Sequence, residues 1–247
     1  MKKLINHLTQ WIRDMVFSAE LKGVVLGMSG GIDSSVLAII CYRAFPDNML
    51  GVHMPCYSDE QDSEHVQQIA DLFAIPIKTV VLNNVFDAAI SVLPNNLENP
   101  TINRLAQANL KARLRMSILY YFANQLDYLV VGSSNRSELS IGYFTKYGDG
   151  GVDLLPLGNL VKKQIWELAH SLGVPNEIIE KPPSAGLWPG QTDELEMGIS
   201  YKDLDHYLIN GSINDKIKQK IEVLQSSSKH KRLPPPIANL HHLLNDR

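Results

Sequence analysis

Val24-Val25-Leu26-Gly27-Met28-Ser29-Gly30-Gly31-Ile32-Asp33-Ser34-Ser35 decides the fold. Its first five residues form an apolar run of the length expected for a strand buried on both faces. In Ser29-Gly30-Gly31 the glycines admit backbone conformations and a close approach that a Cβ would forbid, so several N–H groups converge on one point. An apolar helix from about Ser34 to Ala44 follows and aims its N-terminal dipole at the same spot. Strand, turn and helix in this order make a phosphate loop. Ser29, Ser34 and Ser35 can donate hydroxyl hydrogen bonds, whereas the Asp33 carboxylate repels phosphate unless a magnesium ion bridges the two. The bland alternative is a tight turn with Asp33 as a helix cap. It explains a bare Gly-Gly but not the whole string. The spelling excludes a Walker-type loop, which ends Gly-Lys-Ser/Thr, and a G-x-G-x-x-G dinucleotide fingerprint.

The flanking sequence continues the pattern. Leu4, Ile5, Leu8, Trp11, Ile12, Met15, Val16 and Ala19 recur at helical spacing, giving an amphipathic first helix that packs one face on the body. Strands fit Leu50 to Met54, Ile77 to Leu82 and Tyr128 to Val131, with helices at Gln61 to Phe73 and Arg104 to Gln125 between them. Such alternation predicts an α/β fold, a doubly wound parallel sheet flanked by helices. Ligands in open sheets of this kind bind beyond the carboxyl ends of the strands, so the Gly132-Ser133-Ser134-Asn135 loop can face the same crevice as the first loop. Further helices fit Lys162 to Leu172, Tyr201 to Leu208 and Ile213 to Gln225, and Pro182 to Gly190 reads as an irregular loop. No repeat or linker divides the chain, so residues 1–247 are expected to form one domain.

Composition narrows the function classes. Twenty-three Lys and Arg against 26 Asp and Glu leave a formal charge of −3 in 247 residues, so no global basic field draws the chain to nucleic acid or to a membrane surface. No apolar run approaches membrane-spanning length, and Arg13, Asp14 and Glu20 interrupt any signal-peptide pattern, so a cytoplasmic location is expected. Cys41 and Cys56 are too few for a disulfide framework or a cysteine zinc site, and both read as reduced thiols. His206, His241 and His242 have no zinc-site spacing. Trp166 and Trp188 read as packing residues.

Ser29-Gly30-Gly31-Ile32-Asp33-Ser34 resembles the loop of the PP-loop ATP pyrophosphatases, which adenylate substrates and release pyrophosphate, within the Rossmann-like adenine nucleotide alpha hydrolase fold. Further strings look like the NAD synthetase branch of that family. They are Asn109 to Met116, Gly142-Tyr143-Phe144-Thr145-Lys146-Tyr147-Gly148-Asp149-Gly150-Gly151-Val152-Asp153, Pro183 to Trp188 leading to Gly190-Gln191-Thr192-Asp193-Glu194, and His230-Lys231-Arg232. The resemblance covers nearly the whole chain.

It implies a C–N bond-forming ligase that activates the carboxylate of nicotinic acid adenine dinucleotide (deamido-NAD) with ATP and amidates it with ammonia. ATP would meet Gly27, Met28, Ser29, Gly30, Gly31, Ile32, Asp33 and Ser34, with Ser133, Lys162 and Ser184. Asp33 and Glu138 would hold magnesium, and Arg113, Lys146, Asp153, His230 and Lys231 would contact the deamidated dinucleotide. Asp33, Lys146 and Lys162 would carry the catalytic charge compensation, since a carboxylate must approach an already anionic nucleotide. Ser133 and Ser184 stand where many relatives have threonine, and His53, with Gln61 a candidate adenine neighbour, stands where some have arginine.

An activated acyl group hydrolyses readily, so residues 182–193, with Gly186 and Gly190 as flex points, are the expected lid. Longer relatives carry a glutaminase domain, and only residues 1–23 precede the first strand here, so free ammonia is the expected nitrogen source. Members of the branch are homodimers with the dinucleotide near the interface, which offers the first helix and the Arg104 to Gln125 helix as contact faces. Two rivals stand beside this reading. One keeps the chemistry with nicotinic acid mononucleotide as acceptor; the other is a non-catalytic nucleotide sensor, or a nucleic-acid-binding module using the Lys229 to Arg232 patch.

Overall fold

In the computed structural model, which describes residues 1–94, 100–186, 188 and 190–240, the apolar run becomes strand β1 (Gly23–Met28). It lies between β2 (Met49–His53) and β4 (Tyr128–Val130), with β3 (Ile77–Thr79) outside β2. All three pairings are parallel and the order is β3-β2-β1-β4, the doubly wound arrangement expected from the sequence. The order reverses between β1 and β4. A crevice opens there, beyond the carboxyl ends of both strands.

The continuous apolar run of β1 follows from cover on both faces. Val24, Leu26 and Met28 join a core with α1 (Lys2–Ser18), α2 (Ile32–Ala44), α7 (Lys162–Leu172) and α8 (Asn176–Glu180). Val25 faces the other way, into a core with Leu50, Val52, Val130 and the helices α4 (Asn83–Ser91) and α5 (Pro100–Leu126). The apolar stripe of α1, Ile5, Leu8, Ile12 and Val16, is buried against this body, so that stripe is not a free contact face. A third, smaller core gathers Ile141 of α6 (Arg136–Ile141), Met197 of α9 (Asp193–Met197), Tyr201 and Leu204 of α10 (Tyr201–Asn210), and Ile221 of α11 (Asp215–Ser227).

Several boundaries differ from the sequence reading. Helix α2 begins at Ile32, so Asp33 sits in its first turn rather than in the loop before it. Strand β3 ends at Thr79 because it is the edge strand, although Val80 and Leu82 still donate backbone hydrogen bonds to His53 and Pro55. Helix α3 (Glu60–Phe73) starts at its Asp59 cap, and α5 runs longer at both ends than Arg104 to Gln125. Helices α4, α6, α8 and α9 were not anticipated.

Candidate active site

The phosphate loop leaves β1 and turns at Gly30, whose φ is +79°. A Cβ there would stand 2.4 Å from the Asp62 carbonyl oxygen of α3, so both conformation and space demand glycine. Gly31, in extended conformation, caps α2 without a side chain, which leaves the first N–H groups of the helix turned toward the crevice. The Ser29 hydroxyl accepts from Gly31 N at 3.2 Å and lies 3.0 Å from Ser34 Oγ. The Ser34 and Ser35 hydroxyls, both expected to serve a ligand, are buried and donate to the Gly31 carbonyl, at 3.0 and 2.9 Å.

Two further elements bring charge to this loop. Beyond β4, Asn135 caps α6 in a reciprocal box: its side chain accepts from Glu138 N, and Glu138 Oε2 accepts from Asn135 N, both at 3.1 Å. The Asn135 amide also donates to Asp33 Oδ1 at 2.9 Å, tying the second loop to the first. Lys162 opens α7, with its side chain only 2% exposed. Its ammonium donates to Asp33 Oδ2 and lies 3.7 Å from Glu138 Oε1. The Tyr201 ring backs it, 5.0 Å away.

Val161, the N-cap residue of helix α7, supplies no side-chain cap, although Gln164 Oε1 accepts from Val161 N at 3.0 Å. Buried Asp205 of α10 supplies one, accepting from Lys163 N at 2.7 Å and from the Ser137 hydroxyl at 2.5 Å. Ser137 Oγ in turn accepts from Lys162 N at 3.1 Å. This network fixes where the Lys162 side chain begins. Beneath it, buried Asp193 receives the Tyr201 hydroxyl at 2.8 Å and the Tyr143 hydroxyl at 3.0 Å, and the Tyr201 hydroxyl also lies 3.4 Å from Glu138.

The electrostatics follow from this crowding. Burial first, then the charge of Asp33, pushes the Glu138 carboxyl up to about 8, with Lys162 pulling the other way. Burial also works against the Lys162 ammonium, but Asp33 and Glu138 outweigh it and hold its pKa above the ordinary value. Burial likewise raises the Asp193 carboxyl. Among the described residues no three His, Cys, Asp or Glu side chains group to cage a metal on their own. A carboxylate pair facing a phosphate loop nevertheless fits magnesium, which takes one or two carboxylates and fills its remaining positions with phosphate and water oxygens.

A cavity of about 920 Å³ spans the crevice. Gly27, Met28, Ser29, Gly31, Ile32, Asp33, Ser34, Ser133, Glu138, Lys162, Ser184 and Lys231 all line it, as do His53 and Gln61 at the β2 end. Gly30 packs beneath the loop instead. Arg113, Lys146, His230 and Asp153 lie outside the lining. The first three connect to one another, since Arg113 donates to the Lys146 carbonyl at 3.3 Å and Lys146 Nζ to the His230 carbonyl at 2.8 Å. Asp153 accepts from Val130 N at 2.8 Å and the Tyr120 hydroxyl at 2.9 Å, clipping the end of β4 to α5.

The expected lid borders the cavity through Pro182 to Gly186, Trp188 and Gly190 to Asp193; its positions 187 and 189 lie outside the described residues, as do His241 and His242. Lys181 pairs with Asp62 at 2.6 Å, and Asp193 N donates to the Pro183 carbonyl at 2.9 Å. The Trp188 ring packs against the Arg104 guanidinium.

Asn135, Asp205, Tyr143, Asp193 and Tyr201 were missed by sequence reasoning as site residues. Asn135 carried a local signal, the Asn-x-x-Glu spacing of a capping box, and Tyr143 and Asp193 lie inside the NAD synthetase-like strings, which did not tell their role. Arg115, inside the Asn109 to Met116 string, donates to the Met54 carbonyl at 3.0 Å and lines the cavity. The Lys229 to Arg232 patch is not a solvated tail. Lys231 donates to the Gly142 and Phe144 carbonyls, both at 2.9 Å, and Arg232 to Ser228 Oγ and the Gln225 carbonyl, both at 2.6 Å.

Comparison with known proteins agrees with this geometry. The sequence model of the NAD synthase family matches residues 4–235. The chain is 47% identical over 239 residues to an NH(3)-dependent NAD(+) synthetase of Carboxydothermus hydrogenoformans, covering 97% of this chain and 96% of that one. Among solved structures, an NMN synthetase from Francisella tularensis superposes with a TM-score of 0.91 at 34% identity, over 96% of this chain and 98% of that one. An NH3-dependent NAD synthetase from Campylobacter jejuni superposes with a TM-score of 0.79 at 28% identity, over 96% and 99%. A phosphate loop at the switch point, its carboxylate pair bridged by a buried lysine, and likeness along nearly the full length together make this chain a member of the NAD synthase family.

Proposed function

We propose that the chain is a ligase that amidates deamido-NAD to NAD with ATP and ammonia, releasing AMP and pyrophosphate. The observation that carries this reading is the meeting of Asp33, Glu138 and Lys162 at the N-terminus of α2, beside a cavity of about 920 Å³. The acceptor carboxylate attacks the α-phosphate, the bond to pyrophosphate breaks, and an acyl-adenylate forms. Ammonia then attacks the acyl carbon, AMP leaves, and a proton is released. The main obstacle is repulsion between the carboxylate and the anionic nucleotide.

Backbone N–H groups of the loop and the Ser29 hydroxyl bind the pyrophosphate end, Ser34 shapes the loop by accepting from Ser29 N and donating to the Gly31 carbonyl, and Lys162 adds a cation. Ser133 and Ser184, both in the cavity lining, contribute further hydroxyls. Asp33 and Glu138 would hold magnesium, which when bound neutralises phosphate charge. Segment 182–193, tethered through Lys181 and Asp193, excludes water from the activated acyl group.

The acceptor side is supported by Lys231 at the cavity wall and by the Arg113, Lys146 and His230 cluster beyond it. These groups and Asp153 belong to a site that a second copy of the chain completes, and the homodimer forms through α4 and α5, which expose Val85, Ile102 and Tyr121, with Val92 at the C-cap of α4. Residues 1–247 act as one domain fed by free ammonia. No helix among the described residues is long and apolar enough to cross a membrane, and two free, buried thiols suit the cytoplasm.

The 47% identity to the NH(3)-dependent NAD(+) synthetase of Carboxydothermus hydrogenoformans supports the dinucleotide as acceptor; among the solved structures the NMN synthetase, at 34%, is more similar than the Campylobacter jejuni NAD synthetase, at 28%, which keeps the mononucleotide as the second reading. Steady-state turnover with ATP, magnesium, ammonium and each acceptor in parallel tests this. A wide advantage for the mononucleotide would overturn the acceptor, and no pyrophosphate release with either would sink the ligase. A sensor does not need such complete charge compensation. A nucleic-acid module is disfavoured because Lys231 and Arg232 are spent on internal oxygens.

A further inference from the structure

Both oxygens of Asp33 already have donors: Asn135 Nδ2 on Oδ1 at 2.9 Å, and the Lys162 ammonium on Oδ2. The same ammonium lies 3.7 Å from Glu138 Oε1. It therefore stands between the two carboxylates proposed to hold magnesium. We propose that Lys162 is a built-in placeholder cation, which occupies the position between Asp33 and Glu138 and makes metal binding conditional on arrival of the nucleotide. The inference rests on the assignment of the metal to that carboxylate pair.

The surroundings leave the ammonium few alternatives. Its side chain is 2% exposed, so water does not compensate a move away from the carboxylates. The Tyr201 ring closes the far side at 5.0 Å. The backbone cannot retreat either, because Ser137 holds Lys162 N and Asp205 holds Lys163 N. Asp193, beneath Tyr201, is the remaining nearby carboxylate and is engaged by two tyrosine hydroxyls.

A divalent ion touching both Asp33 and Glu138 comes within a few ångströms of Nζ, where like charges in a buried site repel strongly. A triphosphate changes the balance. Its oxygens accept the ammonium as it rotates off Asp33, and the same oxygens add ligands for the ion. Nucleotide and metal then bind with positive coupling, and reciprocity makes each strengthen the other. In the nucleotide-free protein Lys162 neutralises Asp33, which spares the fold an unpaired charge there, while burial and Asp33 hold the Glu138 carboxyl up at about 8.

Manganese(II) titrations followed by electron paramagnetic resonance test this on the full chain, with and without α,β-methylene-ATP. Without nucleotide, Lys162→Met is expected to bind Mn²⁺ at least about tenfold tighter than the wild type, and Lys162→Arg, which keeps the charge, no tighter. Equal nucleotide-free affinity in Lys162→Met and wild type would overturn the proposal. If Lys162→Met does not fold, Lys162→Gln is read by the same criterion. Wild-type nucleotide-free affinity matching that of the analogue complex also overturns the placeholder, because nothing is then conditional on the nucleotide. Asp33→Asn separates the two layers of the argument. Analogue-dependent Mn²⁺ binding that survives Asp33→Asn removes the metal assignment itself; binding that is lost there, beside an unchanged Lys162→Met, removes only the placeholder.

Discussion

Asp33 serves two cations with one carboxylate. In the fold it neutralises Lys162, a side chain 2% exposed, and in the reaction it is proposed to hold the ion that spans the phosphates. The two tasks give Asp33→Asn a double signature. Pyrophosphate release is expected to fall at least about a hundredfold, because the transition-state charge loses its anchor. The variant should still fold, with Glu138 left as a carboxylate partner for Lys162, at a cost of about 1–3 kcal/mol for the weakened pair. Turnover assays and a urea melt on one preparation check both, and near-normal turnover would show that the metal lies elsewhere. Asp33 was legible in the sequence because its loop is contiguous. Tyr201 was not, since nothing local distinguishes a buried tyrosine that backs a lysine from one that fills a core.

At the scale of elements, the site depends on how α2 and α7 begin. Loop and helix α2 were readable from the Ser-Gly-Gly string, because positive φ and phosphate binding both select residue types within a few positions. Gly30→Ala tests the loop. With φ at +79° and a Cβ forced to within 2.4 Å of the Asp62 carbonyl oxygen, the loop must shift, and KM for ATP is expected to rise about tenfold or more. An unchanged KM would mean that the N–H cradle does not depend on this turn.

Helix α7 matched its expected bounds, Lys162 to Leu172, but its cap comes from 42 residues away and left no mark in the local sequence. Asp205→Ala removes the acceptor for Lys163 N and for the Ser137 hydroxyl. Two buried donors lose their partner, so stability should drop by about 2–4 kcal/mol. If Asp205 positions Lys162, kcat falls more than KM for ATP; a stability loss with unchanged kcat would confine Asp205 to folding.

At the scale of the molecule, the cavity accounts for the nucleotide-binding half of the proposed reaction more fully than for the acceptor half. The residues proposed to hold ATP, Gly30 excepted, line one space, yet Arg113, Lys146, His230 and Asp153, proposed for the acceptor, lie outside it. The sequence strings were enough to choose these four, but no string indicates whether one chain or two encloses the acceptor. Exposed apolar side chains offer an answer, since helix α5 carries Arg113 while exposing Tyr121 at 59%, and its Tyr120 hydroxyl holds Asp153. A face that combines acceptor-side residues with uncovered aromatic surface is what a shared site needs. Tyr121→Asp places a charge on that face without touching a residue of the ATP side. Sedimentation is expected to show a wild-type dimer and a variant shifted toward monomer, with KM for deamido-NAD raised about tenfold or more and KM for ATP little changed. A variant that stays dimeric would move the interface off this part of α5. A monomer with wild-type KM for both substrates would mean that a single chain encloses the acceptor, and that the Arg113 cluster serves the fold instead.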